Sequence, residues 1–174
     1  MYLNPKLFFL PQNEIKSIGE TNLTYGSLTN KGIKSISNTI KKYCSNNIYG
    51  FDLGCGDGEL IYNLEKFLPD SKWEGVEISE HRVSLQTRDV TIWQGDMLTE
   101  NFRNYNILHA DNLCLDYITN DKLEKKILNE FKGIYITYRR PENIKFIKQS
   151  IFLETILTET TWTNHPIHYY YVNN

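Results

Sequence analysis

Phe51-Asp52-Leu53-Gly54-Cys55-Gly56-Asp57-Gly58 is the stretch that decides the fold of this 174-residue chain. The residues from Ile48 to Leu53 read as a strand, and they run directly into glycines at alternate positions. Beyond the turn, Leu60, Ile61, Leu64, Phe67 and Leu68 recur at helical spacing. A strand that enters a glycine-rich turn and leaves as a helix presents backbone N–H groups and lets a ligand approach closely.

Working outward, strands and helices alternate. Ahead of the turn, a helix is expected from Asn30 to about Lys42, with Ile33, Ile36 and Ile40 on one face and Thr29 as its N-cap. Behind it, strands are expected at Trp73–Ile78, Val90–Gln94 and Tyr105–Ala110, then a helix from about Asn120 to Phe131 and a strand at Ile134–Tyr138. A basic stretch to Gln149 precedes two β-rich segments, Ile151–Trp162 and Ile167–Val172, close enough for a hairpin. This pattern predicts an α/β fold, a Rossmann-like, mostly parallel sheet with an antiparallel C-terminal hairpin. Residues 1–28 read as a weakly patterned lead-in to a single domain over 29–174.

The turn admits two ligand classes. Dinucleotide sites follow G-x-G-x-x-G, and the position of the last glycine is here Glu59. Asp52 fits poorly beside a pyrophosphate but suits the ammonium of a methionine moiety. Glu77 ends the next strand, where a carboxylate can accept both ribose hydroxyls. Asp96 and Met97 end the third, placed for an adenine amino group and its ring. Acidic residues at three successive strand ends point to S-adenosylmethionine as cofactor, with S-adenosylhomocysteine as its product; a nicotinamide dinucleotide is the competing reading.

Net charge is −2, which excludes a chain that coats nucleic acid by bulk charge alone. From Lys122 to Lys148, however, eight Lys/Arg face three Glu, so an acidic partner is expected on one face. Cys44, Cys55 and Cys114 show neither disulfide nor zinc spacing; Cys55 and Cys114 read as packing residues, and His165 and His168 as strand or surface residues. No secretory signal and no membrane-spanning run is evident, so an intracellular, nuclear or cytoplasmic location is expected. The abundance of Asn, Ile and Lys points to an AT-biased genome, viral or protist.

Six short motifs occur in a fixed order: Tyr25-Gly26-Ser27-Leu28, Asp52 to Gly58, Gly75-Val76-Glu77, Gly95-Asp96-Met97-Leu98, Asp111-Asn112-Leu113-Cys114-Leu115, and Trp162-Thr163-Asn164-His165-Pro166-Ile167-His168-Tyr169-Tyr170. In this order they resemble the seven-strand, non-SET histone-lysine methyltransferases of the disruptor-of-telomeric-silencing type. The resemblance runs from Tyr25 to the C-terminus. It implies cofactor contacts from Tyr25, Gly26, Asp52, Gly54, Gly56, Gly58, Glu77, Asp96, Met97 and Asp111. It also implies a catalytic group of Asp111, Asn112, Tyr169 and Trp162, with Leu113 and Leu115 beside them in an apolar acceptor channel. The implied substrate is a lysine of histone H3 in nucleosomes, with DNA phosphate contacted by the basic segment from Lys122 to Lys148. Ser27 stands where the family has glutamate, Asp111 where it has asparagine, and Leu113 and Leu115 where it has aromatics. These departures keep open another acceptor (a non-histone protein, an RNA or a small amine) and a non-catalytic S-adenosylmethionine-binding module.

Overall fold

The computed structural model describes residues 4–19, 21–44 and 47–174. Its core is a seven-stranded sheet built from β1 (Ile48–Leu53), β2 (Ser71–Glu77), β3 (Thr91–Gln94), β4 (Ile107–Ala110), β5 (Gly133–Thr137), β6 (Ser150–Glu159) and β7 (Asn164–Val172), in the order β3-β2-β1-β4-β5-β7-β6. The first five strands pair in parallel, and β7 runs antiparallel between β5 and β6. The chain winds outward from β1 to β3, then returns to β4 on the other side of β1. That reversal opens a crevice beyond the carboxyl ends of β1 and β4, where open α/β sheets bind ligands.

Among the described residues six α-helices accompany the sheet: α1 (Gln12–Ile18), α2 (Asn30–Tyr43), α3 (Glu59–Phe67), α4 (Glu80–Ser84), α5 (Tyr117–Glu130) and α6 (Ile144–Gln149). The Thr29 side chain caps α2 by accepting from the Gly32 amide, and Ile33, Ile36 and Ile40 face the sheet as the spacing requires. One core lies between the sheet and α2 and α3, around Ile36, Ile61, Leu64, Trp73, Ile136 and Tyr169. The other lies under α5 and α6, around Phe51, Leu108, Leu123, Phe131, Tyr135 and Phe146. β5 serves both cores: Ile134 and Ile136 enter the first and Tyr135 the second, the two-residue alternation of a strand buried on both faces.

The structure adds elements that sequence periodicity does not reveal. The 1–28 stretch contains α1 and two short 3₁₀ turns, Pro5–Phe8 and Thr21–Leu23, and the link after β2 contains α4. The basic stretch contains α6, which buries only Phe146. The hairpin turn falls at residues 160–163, earlier than the sequence places it, because Asn164, His165 and Pro166 already pair with β6. Pro166 is tolerated there because β5 pairs with β7 only from His168 onward. The Thr161 amide donates to the Ser27 carbonyl and Leu28 bridges Thr160, so the chain's early loop is fastened to this turn.

Candidate active site

The glycine-rich turn is built as expected, but its amides are not free. Gly54, Gly56 and Gly58 all have positive φ, at 88°, 60° and 79°. The Gly54 and Cys55 amides donate to the Val76 carbonyl, the Gly58 amide to Cys55, and the Gly56 amide to a Glu77 carboxylate oxygen at 2.9 Å. At the start of α3, Asp57 accepts from the Glu59 amide, and Glu59 itself pairs with Arg88 at 2.8 Å. A pyrophosphate would meet two carboxylates and few unspent donors. The turn therefore supplies shape rather than anion-binding groups: a Cβ added at Gly54 would meet nothing within 4 Å.

Beside the turn lies a cavity of about 300 Å³, walled by Gly54, Glu77, Asp96, Met97, Tyr25 and Asp111 among others. Glu77 is 3% exposed, and besides Gly56 it accepts from the Ser79 amide at 3.0 Å, with Arg82 Nη1 at 3.6 Å. Burial raises the Glu77 pKa while Arg82 opposes that rise. Asp96 is exposed at the rim, with one carboxylate oxygen accepting from the Leu98 amide.

Asp52, Gly56 and Gly58 are not in the cavity wall, contrary to the direct contacts expected of them. Asp52 is buried behind it, its carboxylate 2.7 Å from His109 Nδ1, and the other ring nitrogen of His109 lies 3.3 Å from the Tyr138 hydroxyl. The Tyr25 ring fills the space over Gly56, where a Cβ would come within 2.6 Å of it. Burial and the nearby carboxylates of Asp57 and Asp52 push the Tyr25 hydroxyl pKa up.

A second cavity of about 510 Å³ adjoins the first, sharing Tyr25, Gly26, Asp111 and Cys114 with it and adding Phe8, Leu113 and Trp162. Here the distant motifs converge. A Cβ on Gly26 would lie 2.5 Å from the Trp162 ring and 2.8 Å from Asp111 Oδ2, so any side chain there would displace one of the two. Burial raises the Asp111 pKa, opposed by His109, the Leu113 amide and His165.

Of the expected catalytic residues, Asn112 lines the first cavity and also braces the strands, and Tyr169 lies away from both cavities. Asn112 is fully buried; its amide donates to Asn120 Oδ1, and its oxygen accepts from Thr137 Oγ1 and the amides of Tyr138 and Arg139. It is a clamp between the ends of β4 and β5. Tyr169 lies in neither cavity wall: it is 0% exposed in the core under α2, because its register with Ile136 directs it to that face. Leu115 lines the first cavity rather than the second. Cys55 packs in the core as expected, whereas Cys114 is part of both cavity walls.

Sequence reading missed Arg82, His109 and Phe8. A histidine in the otherwise apolar strand Ile107-Leu108-His109-Ala110, next to an aspartate-bearing strand, was a usable signal for one of them. In the basic segment 122–148, Lys125, Lys126 and Arg139 are paired with Asp121, Glu130 and Glu142, while Arg140, Lys145 and Lys148 make no ion pair among the described residues. Among the described residues no helix is long and apolar enough to cross a membrane.

No protein-family model and no curated protein matches the chain. Solved structures do. The PH0226 protein from Pyrococcus horikoshii is 13% identical, with a TM-score of 0.61 over 82% of this chain and 89% of its own. An S-adenosylmethionine-dependent methyltransferase from Clostridium acetobutylicum is 14% identical, with a TM-score of 0.56 over 83% and 92%. A sugar N-methyltransferase from Streptoalloteichus is 14% identical, with a TM-score of 0.50 over 63% of this chain. The chain spans about half the length of that protein (48%) and of DesVI from Streptomyces venezuelae (50%). The fold is the Rossmann-like methyltransferase fold. Its seven strands, five parallel and two in the antiparallel C-terminal hairpin, match the sequence expectation.

Proposed function

We propose that the chain is an S-adenosylmethionine-dependent methyltransferase acting on an amine, and that this amine is a lysine side chain of histone H3 in nucleosomes. The observation that carries the reading is the meeting of two cavities at Tyr25, Gly26 and Asp111. One sits at the sheet's switch point with Glu77, Asp96 and Met97 in its wall; the other is mostly apolar, with a single carboxylate. The first fits the cofactor: Gly54 leaves open space, Glu77 can accept ribose hydroxyls, and the turn offers few donors for a pyrophosphate.

The bound cofactor supplies an electrophilic methyl group on a sulfonium. The chain's own residues position the amine and exclude water. A lysine ammonium, with an ordinary pKa of about 10.4, must lose a proton before it attacks. Phe8, Leu113 and Trp162 favour the neutral amine by desolvation. Asp111, in both cavity walls, would draw the cation in and accept a hydrogen bond from its N–H. With the ammonium proton passed to solvent, a bound S-adenosylmethionine would give its methyl to the neutral nitrogen and leave as S-adenosylhomocysteine. Arg140, Lys145 and Lys148 are the cations offered to nucleosomal DNA, so binding should weaken steeply with salt.

One observation favours a different acceptor (another protein, an RNA or a small amine). With Tyr169 in the core, the second cavity lacks a wall expected of a narrow lysine channel. Labelled S-adenosylmethionine offered side by side to nucleosomes, free histone H3, RNA and whole-cell extract separates the readings. Label on H3 supports the first; label on another component with H3 blank supports the second. Tight cofactor binding with no label anywhere supports a non-catalytic module.

A further inference from the structure

The N-terminal stretch that roofs the cofactor cavity is held chiefly to one short helix, α4. None of the α1 residues is buried; the apolar anchors are Leu7 and Leu23, one in each 3₁₀ turn. The remaining ties are polar. The Glu14 carboxylate accepts from Ser79 Oγ at 2.6 Å and from the His81 amide at 3.1 Å, and the Lys6 carbonyl lies 3.2 Å from His81 Nε2. On the opposite side of the cavity, Asn22 and Asp116 exchange two hydrogen bonds of 2.6 and 2.9 Å.

Arg82 stands at the centre of this arrangement. The residue is 3% exposed; Nε donates to the Leu7 carbonyl at 3.2 Å and Nη2 to the Leu23 carbonyl. Nη1 faces Glu77, and the guanidinium carbon lies 5.1 Å from the centre of the Tyr25 ring. Arg82, itself in the cavity wall, thus joins both anchors of the roof to the carboxylate in the cavity floor. Among the described residues no other cation pairs with Glu77.

We infer that Arg82 is a positioning residue that couples occupancy of Glu77 by the cofactor to closure of the N-terminal stretch over the cavity. The inference rests on the reading that this cavity takes S-adenosylmethionine. A cofactor held by Glu77 also meets Asn22, Thr24 and Tyr25 of the roof, which line the same cavity, and Arg82 fixes that roof relative to Glu77. By reciprocity, a closed roof tightens the cofactor by the same factor. A lysine would keep the charge but, as a point donor, could not span both carbonyls and the carboxylate in the guanidinium geometry.

The test combines calorimetric titration of S-adenosylhomocysteine with trypsin cleavage after Lys16, an exposed residue of α1. In the native chain saturating S-adenosylhomocysteine should slow that cleavage at least tenfold. Arg82→Gln should weaken binding by thirtyfold or more and abolish the protection. Arg82→Lys should recover most of the affinity but only part of the protection. Glu14→Gln, which leaves the cavity wall intact, should speed cleavage of the free protein and serves as the control should Arg82→Gln fail to fold. Native affinity in Arg82→Gln, or cleavage after Lys16 indifferent to S-adenosylhomocysteine in the native chain, overturns the coupling. Cleavage of free Glu14→Gln at the native rate overturns the latch. A native chain that binds no S-adenosylhomocysteine overturns the cofactor reading itself, and the titration shows this before any cleavage is measured.

Discussion

Replacing Gly26 by alanine tests whether the two cavities meet where the geometry says they do. The new methyl would sit 2.5 and 2.7 Å from two carbons of the Trp162 ring and 2.8 Å from Asp111 Oδ2, so something must shift. Trp162 is 43% exposed and can swing outward, whereas Asp111 is held near His109 and His165 at the end of β4. Overpacking of this kind costs about 1–3 kcal/mol, and a half-exposed indole that can yield places the cost near the lower figure. For a chain of this size about 1 kcal/mol corresponds to a fall in Tm of roughly 2–4 °C. The functional effect should be larger, because the displaced ring is a wall of the acceptor cavity. A shift of about 1 Å in the acceptor's position lowers transfer on the order of a hundredfold. S-adenosylhomocysteine affinity should stay within a few-fold, since Glu77, Asp96 and Met97 are untouched. Calorimetry, thermal melting and labelled-methyl transfer on the same preparation read all three. A Gly26→Ala protein that transfers methyl at the native rate would refute the placement of Trp162 and Asp111 around the acceptor.

Asn112→Ala should act on stability before chemistry, because it strands the Tyr138 amide and the Asn120 amide oxygen in the interior, while the Thr137 hydroxyl keeps the Arg139 carbonyl; at about 1–3 kcal/mol per stranded group, melting should fall by roughly 4–24 °C. Tyr169→Phe should change the melting temperature by no more than a few degrees and leave transfer at the native rate, since the hydroxyl makes no well-formed hydrogen bond, only a marginal approach to Thr39; a large loss of transfer would return Tyr169 to the site. Asp111→Asn should show a pH-dependent gain in stability. The folded-state pKa of Asp111 is raised, so its contribution to stability is present below the ordinary carboxylate value and is lost as pH rises through the folded value. The variant's melting temperature should therefore exceed the native one increasingly from pH 4 to pH 8, and a constant difference across that range would contradict the burial of this carboxylate.

The parts of the fold with strong apolar periodicity were legible. β1, the glycine turn, α2 and α3 could be placed to within a few residues, because Ile33, Ile36, Ile40, Ile61 and Leu64 face one core. α1, α4 and α6 were not, and the reason is physical. α1 buries nothing, α4 buries only Arg82 and α6 only Phe146, so none carries an apolar stripe. Their positions follow from polar contacts between distant residues, such as Glu14 with Ser79, which no local pattern records. Within the site, Glu77, Asp96 and Asp111 line the cavity, since strand ends at a switch point are legible from order alone. Asp52 was placed at the right strand end, but its partnership with His109 depends on which strands are neighbours. Tyr169 failed for a different reason. Period-two alternation puts Ile167 and Tyr169 on one face of β7 and His168 and Tyr170 on the other, but only pairing with β5 tells which face meets α2.

The crevice beside Gly54 and Glu77 suits S-adenosylmethionine and not a dinucleotide. Calorimetric titration of the native chain with S-adenosylmethionine, S-adenosylhomocysteine and NAD tests this most directly. One site per chain is expected for the first two, lost on Glu77→Ala, with no heat of binding for NAD. Saturable binding of NAD, with neither sulfur compound bound, would contradict it.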